Sequence, residues 1–428
     1  MSSTLVSNAV TVGDATSVLS SEAVSEFVRG QLDAYPVDGR SVCIVVPDGT
    51  RTCPLPLLLK AVHASLGGRA TRMTVLVALG THAAMSDEEL AKHLGYAEDG
   101  LDATYPGMTV RNHEWWEPST FADLGTIPAA RIRELSEGRL DLDVPVHLNR
   151  AVVEHDIALV VGPVLPHEVV GMSGGNKYFF PGVAGEDIID ISHWLGALIT
   201  SAEIIGTTGQ TPVRALIDEG AALIPAERIA FCVVGAAESD HGSAALHSVS
   251  FGDTISSWAA AAQISAESHV TYLDAPVSRV LSLVPAMYAD MWTGAKGFYK
   301  LEPVVADGGE VILYAPHITE MSVMHPEILN IGYHCRDCFV KQWERFRNVH
   351  WGVLAHSTHL RGAGTYDAAT GEERLRVQVT LATGIPEEVC RAANLGYLDP
   401  ATVDVAAFEA DPDTLVVPNA GEVLFRLR

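Results

Sequence analysis

Residues 41–66 read SVCIVVPDGTRTCPLPLLLKAVHASL. Ser41 to Val46 is a short apolar run rich in β-branched residues, the pattern of a strand buried on both faces. Pro47 to Pro54 breaks it with a polar, glycine-containing loop, and Leu55 to Leu66 continues as a helix. Strand, loop and helix in this order make half of a βαβ unit, and in open α/β sheets ligands collect at the carboxyl ends of such strands. Asp48 or Thr50 can serve as a helix N-cap. The alternative is a binding loop in which Arg51 offers a planar fork to a carboxylate or phosphate.

The same grammar recurs on either side. Thr74 to Leu79 reads as a strand ending in Gly80-Thr81-His82, ahead of a helix start at Ser86-Asp87-Glu88-Glu89. Upstream, Ser20-Ser21-Glu22 opens an amphipathic helix carrying Val24, Phe27, Val28 and Leu32, after a polar tail. Ile157 to Val161 is another buried strand, and from Val161 the chain runs VGPVLPHEVVGMSGGNKYFFPGVAGEDIIDISHWL to Leu195. This stretch carries His167, a Ser173-Gly174-Gly175 turn, Lys177, Pro181-Gly182 and, on an expected helix, His193. Singly, such residues are structural more often than not: a hydrogen-bonded His at a strand end, a turn, a solvated Lys. Together they make a poor core, because two imidazoles and an ammonium on a glycine-rich connection suit a site where backbone approaches a ligand closely.

The stretch from 100 to 150 reads as irregular, with short extended pieces between Leu140 and Val153, and His147 and His155 as structural histidines. A helix over 210–222, a strand from Arg228 to Val234 and a helix over 255–267 follow. The pattern restarts near 272 with strands at Tyr272–Val277 and Val280–Pro285, then Gly309–His317 and Arg374–Ala382, and a short helix from Pro386 to Leu395. The fold class is therefore α/β with two domains, 1–272 and 273–428, each a mainly parallel or mixed sheet flanked by helices, with the active site in the cleft between them.

Length supports two domains, since 428 residues exceed one ordinary core. A hydrophobic fraction of 48% excludes a disordered chain, and no apolar run reaches the length of a membrane span. The N-terminus carries no basic residue followed by a long apolar segment, so the expected compartment is the cytoplasm. A formal charge of −25 disfavours nucleic acid and anionic membranes as partners. An anionic ligand then needs local cations, which raises the interest of Arg51 and of Lys296 in the segment Tyr288 to Gly297. Six scattered cysteines fit reduced thiols. Cys335-Arg336-Asp337-Cys338 lacks a second pair, so a zinc site there would need ligands distant in sequence, although His334 adjoins it. His356 and His359, three apart, could share one helical face as metal ligands.

His167, nine residues, Lys177, fifteen residues and His193, with S-G-G-x-K and P-G-V-A-G between, resembles the pattern of the nickel-pincer lactate racemase family. Asp48-Gly49-Thr50-Arg51 is similar to its D-x-T-R motif and Gly80-Thr81-His82 to its G-x-H motif. The resemblance implies a nickel-pincer nucleotide attached covalently at Lys177, with His193 as the protein ligand to nickel. It makes Asp48, Gly49, Thr50 and Arg51 cofactor contacts, with Arg51 also close to substrate. His82 and His167 become the two acid/bases, and Lys296 binds the substrate carboxylate, with Thr293 and Trp292 beside it. Trp343 matches a tryptophan placed near the cofactor. Family members often carry Arg-Pro after the first of these histidines, where this chain has Ala83-Ala84. Lactate-specific members have glutamine where Thr293 stands. The substrate implied is a small anionic 2-hydroxy acid other than lactate.

The reaction implied is racemisation or epimerisation at the carbon bearing hydroxyl and carboxylate. A carboxylate stabilises a neighbouring carbanion poorly, so hydrogen moves as hydride to an acceptor that no side chain provides. Imidazoles with ordinary pKa near neutrality suit the accompanying proton transfers. The expected partners are the substrate and the cofactor-synthesis proteins, and the expected state is a monomer or homodimer. Two other classes fit the same residues: a metal-dependent hydrolase or lyase using His82, His167 and His193, and a non-catalytic cofactor carrier.

Overall fold

The computed structural model describes residues 9–97, 100–235, 245–421 and 423–428; the polar tail over 1–8 lies outside them. The chain divides into two compact units. The first comprises 1–165, 172–189 and 208–268, the second 166–171, 190–207 and 269–428. Two short segments from the first half of the sequence thus belong to the second unit, and they carry His167 and His193.

The first unit is built on a seven-stranded sheet. In chain order its strands are β1 (Val10–Gly13), β2 (Ser41–Pro47), β3 (Arg72–Ala78), β4 (Met108–Asn112), β5 (Ile157–Pro163), β6 (Glu227–Gly235) and β7 (Leu246–Asp253), arranged β1-β7-β6-β5-β2-β3-β4. Strands β6, β5, β2, β3 and β4 are parallel, while β7 and β1 add an antiparallel edge. The apolar runs at Val42–Val46 and Ile157–Val161 are buried throughout, as expected of central strands covered on both faces. The segment over 100–150 is more regular than its sequence suggests. It supplies β4, a hairpin of Phe121–Ile127 with Val144–Asn149, and a helix at Ala129–Leu135.

Strand order reverses between β2 and β5. From β2 the chain steps outward to β3 and β4, then returns to lay β5 on the other side of β2. Loops leaving adjacent strands at such a point diverge and leave a crevice. Pairing of Val42 with Ile157 and Val45 with Val160, and of Pro47 with Ala78, brings the carboxyl ends of β2, β3 and β5 level. The loops beyond them are 48–54, 79–86 and 164–185.

The second unit repeats this plan in smaller form. Its strands β8 (Val277–Leu283), β9 (Val305–Ala315), β10 (Gln378–Thr383), β11 (Gly396–Tyr397) and β12 (Thr414–Val417) form a parallel sheet ordered β11-β10-β9-β8-β12. The expected strand at 272–277 is displaced. Val270–Leu273 pairs instead with Leu424–Leu427, and Val277 already belongs to β8. All six cysteines are free thiols. Among the described residues no helix is long and apolar enough to cross a membrane.

His113, just past β4, shows how the first unit handles buried polarity. It is fully buried; its Nδ1 accepts from Asn149 Nδ2 at 3.0 Å and its Nε2 lies 3.3 Å from the Ala184 carbonyl. This pattern requires the neutral ring, and burial pushes its pKa down to about 4. Below the unfolded value of 6.5 the unfolded chain takes up a proton that the folded one refuses, so stability falls with pH through that window. Urea titrations should show the wild type losing about 2 kcal/mol more than His113→Gln between pH 7 and pH 5. Equal losses in the two proteins would show that His113 is not held neutral.

Candidate functional site

Asp48 is the first residue after β2 and is buried. Its Oδ1 accepts from the Thr50 amide (3.1 Å) and hydroxyl (2.7 Å), which folds the loop into a tight turn. Its Oδ2 lies 2.5 Å from His82 Nδ1, at the end of the neighbouring strand β3. Burial alone would raise this carboxyl. The His82 and Arg51 charges and the hydrogen bonds outweigh it and hold Asp48 well below the usual carboxylate range. With Nδ1 turned to Asp48, His82 presents Nε2 as its exchangeable nitrogen. The backbone carbonyl of His82 accepts from Trp115 Nε1 at 2.9 Å, and Gly80 N–H donates to the Gly182 carbonyl at 2.9 Å. The loop after β3 is therefore tied to the loop that carries Lys177.

That third loop is clamped from beneath. Gly174 and Gly175 both have left-handed φ, +86° and +58°; a Cβ on Gly174 would lie 2.5 Å from Val164, and one on Gly175 2.7 Å from the Thr254 carbonyl. No other residue fits either position without strain. Arg214, fully buried on the helix Pro212–Ala222, donates to the Gly174 carbonyl (3.1 Å) and to that of Met172, with its guanidinium 4.1 Å from the Trp258 ring centre. Burial pushes Arg214 down to about 10 while Asp218 opposes the shift, so it stays cationic at neutral pH. Asn176 donates to Asp218 (2.9 Å) and accepts from Thr254 (2.6 Å), and Trp258 Nε1 donates to the Ser173 carbonyl (2.9 Å). Lys177 lies in the single turn Gly175–Tyr178 that these bonds fix. Beside it, the Tyr178 hydroxyl occupies the space a side chain on Gly162 of β5 would need. Burial pushes that phenol well up, and it feels Cys53, Arg51 and Asp48. The first unit thus gathers Asp48, Gly49, Thr50, Arg51, His82 and the Lys177 turn at one end of one sheet.

The other expected residues belong to the second unit. His167 is buried, and its Nδ1 is approached by two groups: the Val169 N–H at 3.1 Å and Glu168 at 3.2 Å. The first favours a bare nitrogen and the second a protonated one, a balance suited to proton transfer. His193 lies on the helix Glu186–Ile199. It interacts electrostatically with His356 and His359, both buried on the helix Trp351–Arg361. Burial first, then His359, His325, Lys296 and His193, keep His356 well below its ordinary pKa. Burial likewise pushes His359 down to about 4, against Glu168. His359 Nδ1 hydrogen-bonds with the Ser201 hydroxyl, while its buried Nε2 has no hydrogen-bond partner among the described residues.

Trp292 stacks on His356 with ring centres 3.8 Å apart and lies 4.4 Å from His325. Thr293 donates its hydroxyl to Asp290 at 2.8 Å. Buried Lys296 sits 5.0 Å over the Tyr288 ring. Trp343 stacks on Trp194, the residue after His193. Sequence reading missed Glu168, Arg214 and His325 as parts of these clusters. Glu168 adjoins His167 and could have been noticed; the others are remote in sequence and carry no local signal.

A family model, the lactate racemase N-terminal domain, matches residues 16–206. The chain is 28% identical over 159 residues to the lactate racemase of Thermoanaerobacterium thermosaccharolyticum, a match spanning 36% of this chain and about a third (32%) of that curated relative. A crystal structure of a protein from Thermotoga maritima superposes with a TM-score of 0.87 at 32% identity, covering 96% of this chain and 99% of that one. The lactate racemase apoprotein from T. thermosaccharolyticum superposes with a TM-score of 0.68 at 18% identity, over 94% and 93% of the two chains, a likeness of fold.

Arg214→Met removes the cation that holds the Lys177 turn and leaves Asp218 buried without it. The expected cost is about 3–5 kcal/mol in urea unfolding, with faster amide hydrogen exchange across 173–178. Unchanged exchange in that segment would show that the turn holds itself.

Proposed function

The chain belongs to the lactate racemase family, and on that footing we propose that it is a racemase or epimerase acting on the α-carbon of a 2-hydroxy acid other than lactate. The observation that carries this reading is the convergence of the loops after β2, β3 and β5 at the strand-order reversal, with Asp48–Arg51, His82 and the Lys177 turn together there. The coarser part, an isomerase of the racemase type, follows from family membership. Substrate and cofactor are inferred from the resemblance to that family, on the residues that match its motifs.

These residues fit a nickel-pincer nucleotide. The primary amine of Lys177 can form the covalent link, on a turn that the Arg214 clamp allows little freedom. His193 supplies an imidazole nitrogen, a donor suited to nickel. The orphaned Nε2 of His359, near His193, marks a buried polar position that a ligand would satisfy. When bound, the group supplies the hydride acceptor that the protein lacks.

The chain's own part is binding and proton transfer. Arg51 and Lys296 pair with the substrate carboxylate, which a protein of charge −25 would otherwise repel. His82 takes or returns the hydroxyl proton at Nε2, oriented by Asp48 at Nδ1; His167 does the same, poised by Glu168 and the Val169 amide. Asp48 is a positioning residue that fixes the ring and stabilises its charged form. The Trp292 ring stacked on His356 offers a flat apolar wall, and the Thr293 hydroxyl is already engaged by Asp290, so the pocket differs from one built around a glutamine amide.

Protein co-produced with cofactor-synthesis proteins should show an added mass on Lys177 and should racemise at least one member of a panel of 2-hydroxy acids. His82→Ala should keep the adduct and lose at least about 100-fold in kcat, whereas Lys177→Ala should lose adduct and activity together. Activity in Lys177→Ala, or in wild type made without the synthesis proteins and supplied only with a divalent metal, would overturn this reading in favour of a metal-dependent hydrolase or lyase. An adduct with no racemisation across the panel, in protein that also tolerates His82→Ala, would indicate a carrier.

A further inference from the structure

The C-x-x-C pair at Cys335 and Cys338 plays no part in the proposed reaction, yet it does not lie alone. The hairpin of Gly364–Asp367 with Glu372–Leu375 brings Glu373 against it. Glu373 Oε2 lies 2.7 Å from His334 Nδ1, and its Oε1 accepts the Cys335 amide at 2.7 Å. One donor atom from each of His334, Cys338 and Glu373 lies within 4.8 Å of the others. Cys338 is buried, and so is Cys335, whose thiol interacts with the same carboxylate although it lies outside that 4.8 Å group.

We propose that His334, Cys338 and Glu373, with Cys335 completing the set, form a structural zinc site in the second unit. The sequence lacks the second cysteine pair that a zinc ribbon uses, and the fold supplies a carboxylate from a distant hairpin instead. Imidazole, thiolate and carboxylate are the three donor types zinc accepts. Tetrahedral zinc holds neighbouring donors roughly 3.5 Å apart, so donors within 4.8 Å of one another need shifts on the order of 1 Å, with the His334–Glu373 pair at 2.7 Å opening to admit the ion.

Charge balance agrees. Two thiolates and one carboxylate carry three negative charges, zinc returns two positive ones, and Arg361, close enough to interact with both Glu373 and Cys335, supplies the third. Without metal the same groups close on one another, with Asn394 Nδ2 also donating to Glu373 at 3.0 Å. Zinc would displace the thiol protons and tie the chain at 334–338 to Glu373, on a hairpin remote in sequence.

The test uses full-length protein made without cofactor-synthesis proteins, so that nickel chemistry at Lys177 cannot contribute. Dialysed against chelator and titrated with Co2+, the wild type should take up one equivalent with a thiolate-to-cobalt charge-transfer absorption, which one equivalent of Zn2+ bleaches. Zn2+ should also raise its melting temperature. Cys338→Ser should lose the absorption and the zinc-dependent shift while keeping the far-ultraviolet circular dichroism of the wild type. Glu373→Gln, which retains most of the hydrogen bonds, should weaken zinc binding at least tenfold and keeps the test valid if the serine variant misfolds. No thiolate absorption in the wild type, or the same absorption and zinc affinity in both variants, would overturn the site.

Discussion

The parallel pairing of β2 with β5 is the constraint on which the first unit depends. The two strands are separated by more than a hundred residues, so the pairing closes a long loop at considerable entropic cost, offset by burying two continuous apolar runs. Because the register is set residue by residue, the ends of both strands stop at one level. That is why Asp48 and the approach to the Lys177 turn open on the same side. A slip of one residue would turn Ile44 and Val46 away from their side of the sheet and draw the two loops out of step.

Given that frame, the polar groups near the loops are held by burial as much as by bonding. The protein is strongly acidic overall, yet the buried cations among the described residues, Arg214, Lys296, Lys300 and Arg361, lie inside the units where the surface field does not dominate. Arg214 illustrates the balance. Desolvation penalises its charge, and it persists because two carbonyls, an indole face and Asp218 surround it. In the second unit burial acts in the opposite sense on imidazoles, keeping His356 and His359 neutral and able to offer lone pairs.

The central strands were legible because both faces are buried, which leaves an uninterrupted apolar run in the sequence. Strands at or next to the sheet's edges were not. Met108-Thr109-Val110-Arg111-Asn112 alternates buried and accessible positions over only five residues, and Leu246 to Asp253 places Ser248 and Ser250 inside the sheet. Motif residues at strand ends could be read singly, since each sits just past a strong apolar run. The groups that hold them could not: Arg214 reaches back some forty residues to its carbonyls, and His359 meets Ser201 across more than one hundred and fifty. Such contacts belong to topology, which no local pattern carries. The assignment of 166–171 and 190–207 to the second unit has the same origin.

The second unit shows that the topology itself is what places reactive groups. Its chain also starts on a central strand, β8, moves outward through β9, β10 and β11, and returns to set β12 on the other flank of β8. Directly beyond β8 come Tyr288, Asp290, Trp292 and Lys296, just as Asp48, Thr50 and Arg51 come directly beyond β2. The two sets share no sequence pattern. What they share is a position: the first loop after the strand at which a parallel sheet changes direction, where neighbouring connections diverge and backbone and side chains are left facing a crevice instead of a packed layer. A polar side chain placed elsewhere on such a sheet would lie under a covering helix and bear the full cost of burial. The strand ends are where an ammonium, a guanidinium or an imidazole can be partly enclosed and still meet a ligand, and each unit puts a cation there, Arg51 in one and Lys296 in the other.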